Sequence, residues 1–141
     1  MKIMALDVGS NRIGVALADD DIRVAVPLQV LEKKDGDNII QQVIQLIHQH
    51  RAEKLIVGFP KKLNGEIGNQ AEKVIAFVDE LKNNLAIEIV LWDERFTTVE
   101  ATKRLRGLYK SKRIKQIVDA SAAALILQSY IDCVNAGCND E

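Results

Sequence analysis

Residues Ile3 to Val8 form a short apolar run that meets a carboxylate at Asp7 and is then cut by Gly9 and Asn11. The run reads as a buried strand closing into a turn, and a hairpin is its natural sequel. Arg12 to Ala18 alternates as a second strand (Ile13, Val15, Leu17), Asp19-Asp20-Asp21 turns the chain, and Ile22 to Leu31 supplies a third strand interrupted by Pro27. An antiparallel meander is expected. The period then changes. Ile39, Ile40, Val43, Ile44 and Ile47 fall three and four apart, placing them on one face of a helix over Asn38 to His50. Lys54 to Phe59 is a strand, Gln70 to Leu85 a helix (Ala71, Val74, Ile75, Val78, Leu81), and Ile87 to Trp92 a strand ending in Asp93-Glu94. Helical patterns follow over Thr98 to Leu108 and Ile114 to Val134. The order βββαβαβ with trailing helices predicts an α/β fold: a mixed five-stranded sheet with helices on its faces.

No repeat, linker or low-complexity stretch divides the 141 residues, so residues 1–141 are expected to form one domain. A chain of this length buries roughly two-thirds of its unfolded surface and needs no disulfide or metal to fold. Cys133 and Cys138 lack CxxC spacing and a neighbouring histidine, and are read as free thiols. His48 and His50 lie on a polar helical end and read as solvent-facing. No stretch approaches the roughly 18 apolar residues of a membrane span, and Asp7 comes too early for a signal peptide. A cytoplasmic location without membrane contact is expected.

Three carboxylates stand where chemistry competes with solvation. Asp7 ends a buried strand, where an acid persists only if paired, hydrogen-bonded or bound to a cation; the bland alternative is an Asx-turn cap of the bend that follows. Asp93 and Glu94 end another strand, the usual address of ligand sites in open α/β sheets. Alternation sends the two acids to opposite faces, and Glu94 is favoured for the site. Asp119 either caps a helix starting at Ala120 or lies in the first turns of one that begins earlier, where Ala120, Ala122, Ala123 and Ala124 would let it approach the sheet. Acids meeting at one point repel one another, and a hard divalent cation, Mg²⁺ or Mn²⁺, relieves the repulsion. Such a site suits phosphoryl transfer.

The chain carries 19 Lys plus Arg and 20 Asp plus Glu, a formal charge of −1, which excludes a uniformly basic packaging protein. The balance conceals a segment. Between Glu100 and Asp119 stand Lys103, Arg104, Arg106, Lys110, Lys112, Arg113 and Lys115 with no acid, leaving −8 on the remainder. This block, with Tyr109 available to stack on a base, is a footprint for polyanions, against the alternative of a solvated helical face. Arg12 and Arg95 are candidates for gripping phosphate. Gly58-Phe59-Pro60 with Asn64-Gly65 and Gly68 makes a loop before a helix, and it is no Walker loop because the Gly-Lys-Ser/Thr ending is missing.

Asp7-Val8-Gly9-Ser10-Asn11-Arg12-Ile13-Gly14-Val15-Ala16, Gly58-Phe59-Pro60 with Gly65 and Gln70, Asp93-Glu94-Arg95-Phe96-Thr97-Thr98, and Asp119-Ala120-Ser121-Ala122-Ala123 resemble, in order and spacing, the four signature blocks of the YqgF family. Phe59 stands where that family more often has Leu. The resemblance spans nearly the whole chain. It implies a ribonuclease H-like fold and the activity ascribed to that family: a Holliday junction resolvase or, in bacteria, the nuclease that matures the 5′ end of pre-16S ribosomal RNA. It further implies that Asp7, Glu94 and Asp119 are the catalytic, metal-binding acids, with Asp93, Arg95, Thr97 and Thr98 beside them. The expected function is a metal-dependent endonuclease acting on structured RNA, as a monomer or homodimer. A resolvase cutting branched DNA and a noncatalytic nucleic-acid-binding factor are the alternatives. An actin-like ATPase, which shares the DxG hairpin, needs two lobes and is disfavoured by length.

Overall fold

The computed structural model describes residues 1–9, 12–19, 21, 23–33, 38–59, 68–93 and 122–137. Its strands are β1 (Lys2–Val8), β2 (Arg12–Asp19), β3 (Val26–Glu32), β4 (Ala52–Phe59) and β5 (Glu88–Asp93); its helices are α1 (Ile39–His50), α2 (Asn69–Lys82) and α3 (Ala122–Asn135). They form one five-stranded sheet in the order β3-β2-β1-β4-β5. The β1–β2 and β2–β3 pairs are antiparallel, and β1–β4 and β4–β5 are parallel. The meander and the mixed sheet follow the sequence expectation. The third strand starts later than expected, at Val26, because Arg23 takes a left-handed backbone (φ 62°) that turns the chain before pairing resumes. Pro27 is tolerated there because β3 is an edge strand.

Alternation along the strands builds two cores. Met4, Leu6, Val8, Ile13, Val15, Leu55, Val57 and Phe59 face α1 and α2. Ile3, Ala5, Ala16, Ala18, Ile56, Val90 and Trp92 face α3. With helices on both faces the central strands lose most polar alternation, so Ile3 to Leu6 of β1 read as a continuous apolar run. Asn38 starts α1 by accepting a hydrogen bond from the Gln41 amide at 3.2 Å, and Arg51 ends it in a left-handed conformation.

α3 is buried along most of its length, and its polar residues are matched rather than excluded. Gln128, 1% exposed, accepts from the Ala25 amide (2.9 Å) and donates to the Arg23 carbonyl (3.2 Å) and the Asp132 carboxylate (3.0 Å). Trp92 of β5 donates its indole N–H to Ser129 Oγ at 3.2 Å and meets Tyr130 edge-on, ring centroids 5.4 Å apart. Lys54 of β4 donates to Tyr130 Oη at 2.9 Å. These bonds fix the rotation and height of α3 on the sheet.

Cys133 is disulfide-bonded, which corrects the free-thiol expectation. Spacing rules for metal and redox motifs do not weigh a helix end that folds back. Here the Ala136 and Gly137 amides return to carbonyls of the last turn of α3, with Gly137 at φ 92°. His48 is exposed as expected, whereas His50 is half-buried. Among the described residues no helix is long and apolar enough to cross a membrane.

Candidate active site at the carboxyl ends of the parallel strands

Asp7 lies one residue before the end of β1. Leu6 and Val8 belong to the α1/α2 core and Ala5 to the α3 core, so alternation turns Asp7 toward α3. It is half-buried, and among the described residues its carboxylate forms no hydrogen bond or ion pair. The Asx-turn alternative therefore finds no support among the described residues. What flanks Asp7 is small. Gly14 is its partner across the β1–β2 ladder, and a Cβ built on Gly14 would lie 3.8 Å from Asp7 Cβ and 3.6 Å from Ala123 Cβ. The first turn of α3 thus comes down directly beside the acid, as the run of alanines in the sequence suggested.

The register extends this site across the sheet. Leu6 pairs with Val57 and Gly58 with Trp92, so Asp7, Gly58 and Trp92 form a row running across β1, β4 and β5. Gly58 shares the α3-facing parity of Ile56, leaving a position without a side chain between β1 and β5. The two outer strands of this row are separated by two strand spacings, about 10 Å. Asp93 shares the parity of Leu91 and pairs with Phe59, both of which belong to the α1/α2 side. Asp93 therefore faces away from Asp7.

Arg12 opens β2 with the parity of Gly14, which puts it on the Asp7 face, and its side chain is exposed. The turn between them is tight: the Gly9 amide donates to the Arg12 carbonyl at 2.9 Å, and a Cβ on Gly9 would sit 3.0 Å from that oxygen. Only glycine fits this approach without a shift.

Two residues that sequence reasoning does not assign to the site reach the same turn from the other face. Gln70, in the first turn of α2, donates to the Val8 carbonyl at 2.7 Å, and Lys33, just past β3, donates to the Gly9 carbonyl at 2.8 Å. Both bonds go to main-chain atoms, which leave no side-chain motif to find; for Gln70 its place in the second signature block was the available signal. Partial burial, and then the charge of Lys73, hold the Lys33 ammonium below the ordinary lysine range.

Glu94, Asp119, Arg95, Thr97, Thr98, Lys103, Arg104, Arg106, Lys110, Lys112, Arg113 and Lys115 lie outside the described residues. Among the described residues no group of three or more His, Cys, Asp or Glu is placed to hold a metal.

A β3-β2-β1-β4-β5 sheet, helices on both faces and an acid at the end of the central strand define the class of ribonuclease H-like proteins. The fold is shared by Thermus thermophilus RuvC (TM-score 0.67, 14% identity, 97% of each chain) and by the fowlpox virus Holliday junction resolvase (TM-score 0.57, 12% identity, 96% of this chain and 99% of that one). Within that class the sequence is more specific: the model of the RuvX family, described as Holliday junction resolvase, matches residues 1–133. This chain belongs to that family, the YqgF family of nucleases. Relatives from Desulforudis audaxviator (39% identical over 140 residues, 99% of both chains) and Thermoanaerobacter pseudethanolicus (42% over 135 residues, 94% of this chain and 96% of that one) each bear the name "Putative pre-16S rRNA nuclease".

Proposed function

We propose that this protein is a divalent-metal-dependent endonuclease that hydrolyses phosphodiester bonds in structured RNA, at the 5′ end of pre-16S rRNA. The observation that carries the proposal is Asp7: a half-buried carboxylate without a partner among the described residues, seated between a glycine and the first turn of α3. An acid so placed suits a hard cation, whose charge would supply what the protein leaves unmatched. The names of relatives about 40% identical over nearly the full length favour pre-16S rRNA as substrate.

Asp7, Glu94 and Asp119 would hold the ion. Parity favours Glu94 over Asp93, because the residue after Asp93 in a continued strand returns to the Asp7 face. Asp119 precedes by three residues in the sequence the helix whose first turn lies against Gly14, the partner of Asp7. A bound Mg²⁺ or Mn²⁺ would supply an activated water and offset charge on the scissile phosphate. Arg12, on the Asp7 face, and Arg95, with Thr97 and Thr98, grip phosphate beside the cut, and Lys103 to Lys115 attract the polyanion. Residues 1–141 act as one nuclease domain in the cytoplasm, as a monomer or homodimer.

The test incubates wild type and Asp7→Asn with a pre-16S rRNA 5′ fragment and with a synthetic four-way DNA junction, each in Mg²⁺ and in Mn²⁺. Cleavage of the RNA is expected to fall by at least about two orders of magnitude in the variant, with an unchanged circular dichroism spectrum. Full cleavage by Asp7→Asn would overturn the assignment. The second reading, a four-way-junction resolvase, is favoured by the description of the family, and symmetric cutting of the DNA by a stable dimer would select it.

A further inference from the structure

We propose that Lys33 and Lys73 form a second phosphate-binding point, on the opposite face of the sheet from Asp7, which holds the nucleic-acid backbone away from the scissile bond. The inference rests on the nuclease reading and adds a substrate contact to it.

The geometry begins at the β1–β2 turn. Val8 and Gly9 are consecutive, and their carbonyls are held from the α1/α2 side by Gln70 and Lys33, at 2.7 and 2.8 Å. Gln70 and Lys73 are three apart on α2 and therefore neighbours on the helix surface. Lys73 is thereby carried to the same turn as Lys33, and both residues are exposed. Two ammonium groups held near each other repel, and the Lys33 ammonium feels the Lys73 charge. Among the described residues neither is matched by a carboxylate within ion-pair distance. A cation pair that no described carboxylate neutralises offers a site for a polyanion, since one phosphate oxygen cluster relieves both charges at once.

Position supplies the rest. Asp7 and Arg12 occupy the α3 face of the β1–β2 turn, and Lys33 and Lys73 occupy the α1/α2 face of the same turn. A backbone draped over this end of the sheet meets Arg12 on one side and the lysines on the other. The active-site acids then address one phosphate, and the lysines address another farther along the strand. This division separates holding from cutting, and it is independent of the Lys103–Lys115 segment.

The experiment measures equilibrium binding of the pre-16S rRNA 5′ fragment without divalent cation, across 50 to 300 mM KCl, for wild type, Lys73→Gln, Lys33→Gln/Lys73→Gln and Lys33→Arg/Lys73→Arg. Each lost phosphate contact should reduce the slope of log K against log salt by about 0.7 to 0.9, so the double Gln variant should lose about 1.4 to 1.8. At 0.15 M salt, binding should weaken roughly four- to fivefold per lysine. The Arg variant should keep the wild-type slope. Lys73→Gln leaves the Gly9 carbonyl bond intact, so it reports charge without disturbing the turn. Unaltered slopes in both Gln variants, with a wild type that binds and cleaves, would overturn this inference alone. A wild type that neither binds nor cleaves the RNA would overturn the nuclease reading beneath it.

Discussion

At the scale of single residues, the candidate site depends on a missing side chain as much as on a present one. Gly14 faces Asp7 and Ala123, and a methyl there would make only ordinary contacts at 3.8 and 3.6 Å. Gly14→Ala should therefore fold and cleave much as wild type does. Gly14→Val adds two branches where the space is already filled, forcing Asp7 or the first turn of α3 to move. We expect at least tenfold slower cleavage and a loss of about 1–3 kcal/mol on urea unfolding. Equal activity of the two variants would show that the space beside Asp7 is not used. Asp7 was visible in the sequence because an acid ending an apolar run is expensive. The role of Gly14 was not, since it arises from three segments that meet only on folding.

At the scale of elements, α3 carries the second wall of the site and is tied down far from it. Gln128 satisfies the amide of Ala25, a residue with 0% exposure, from 103 positions away. Gln128→Ala leaves that buried donor unpaired, a cost of about 1–3 kcal/mol. Denaturant titration should show the loss, and amide exchange should show it first at Ala25 and along α3. A stability within experimental error of wild type would mean that water replaces the amide. The helix itself was legible from its period. Its rotation was not, because Gln128, Ser129 and Tyr130 look like an interruption of the apolar stripe until their partners Ala25, Trp92 and Lys54 are brought beside them.

For the molecule as a whole, the proposed metal binding is expected to be separable from folding. Among the described residues both cores close through apolar contacts between the sheet and the helices. Chelation by EDTA is accordingly expected to abolish cleavage while leaving the midpoint of urea unfolding almost unchanged. Restoring millimolar Mg²⁺ should raise stability only by the linkage amount, about 1–3 kcal/mol at saturating ion. Unfolding on chelation would show a structural metal instead. The overall charge of −1 says little about partners, because a local cluster of cations, and not the sum over the chain, sets the field that a polyanion meets.

From the order of its periodicities alone, this chain specifies a mixed sheet with an acid at the end of the first strand, because a buried strand and an amphipathic helix each impose their own spacing on apolar residues. Motif order was enough to name the family. Tertiary structure decided which face Asp7 serves, that Asp93 turns away from it, and that Lys33 and Gln70 converge on Val8 and Gly9. It also decided that Cys133 is bonded. Those outcomes depend on strand register, on side-chain bonds to distant main-chain carbonyls and on a sulfur–sulfur bond, and none of these leaves a periodic trace in the order of amino acids.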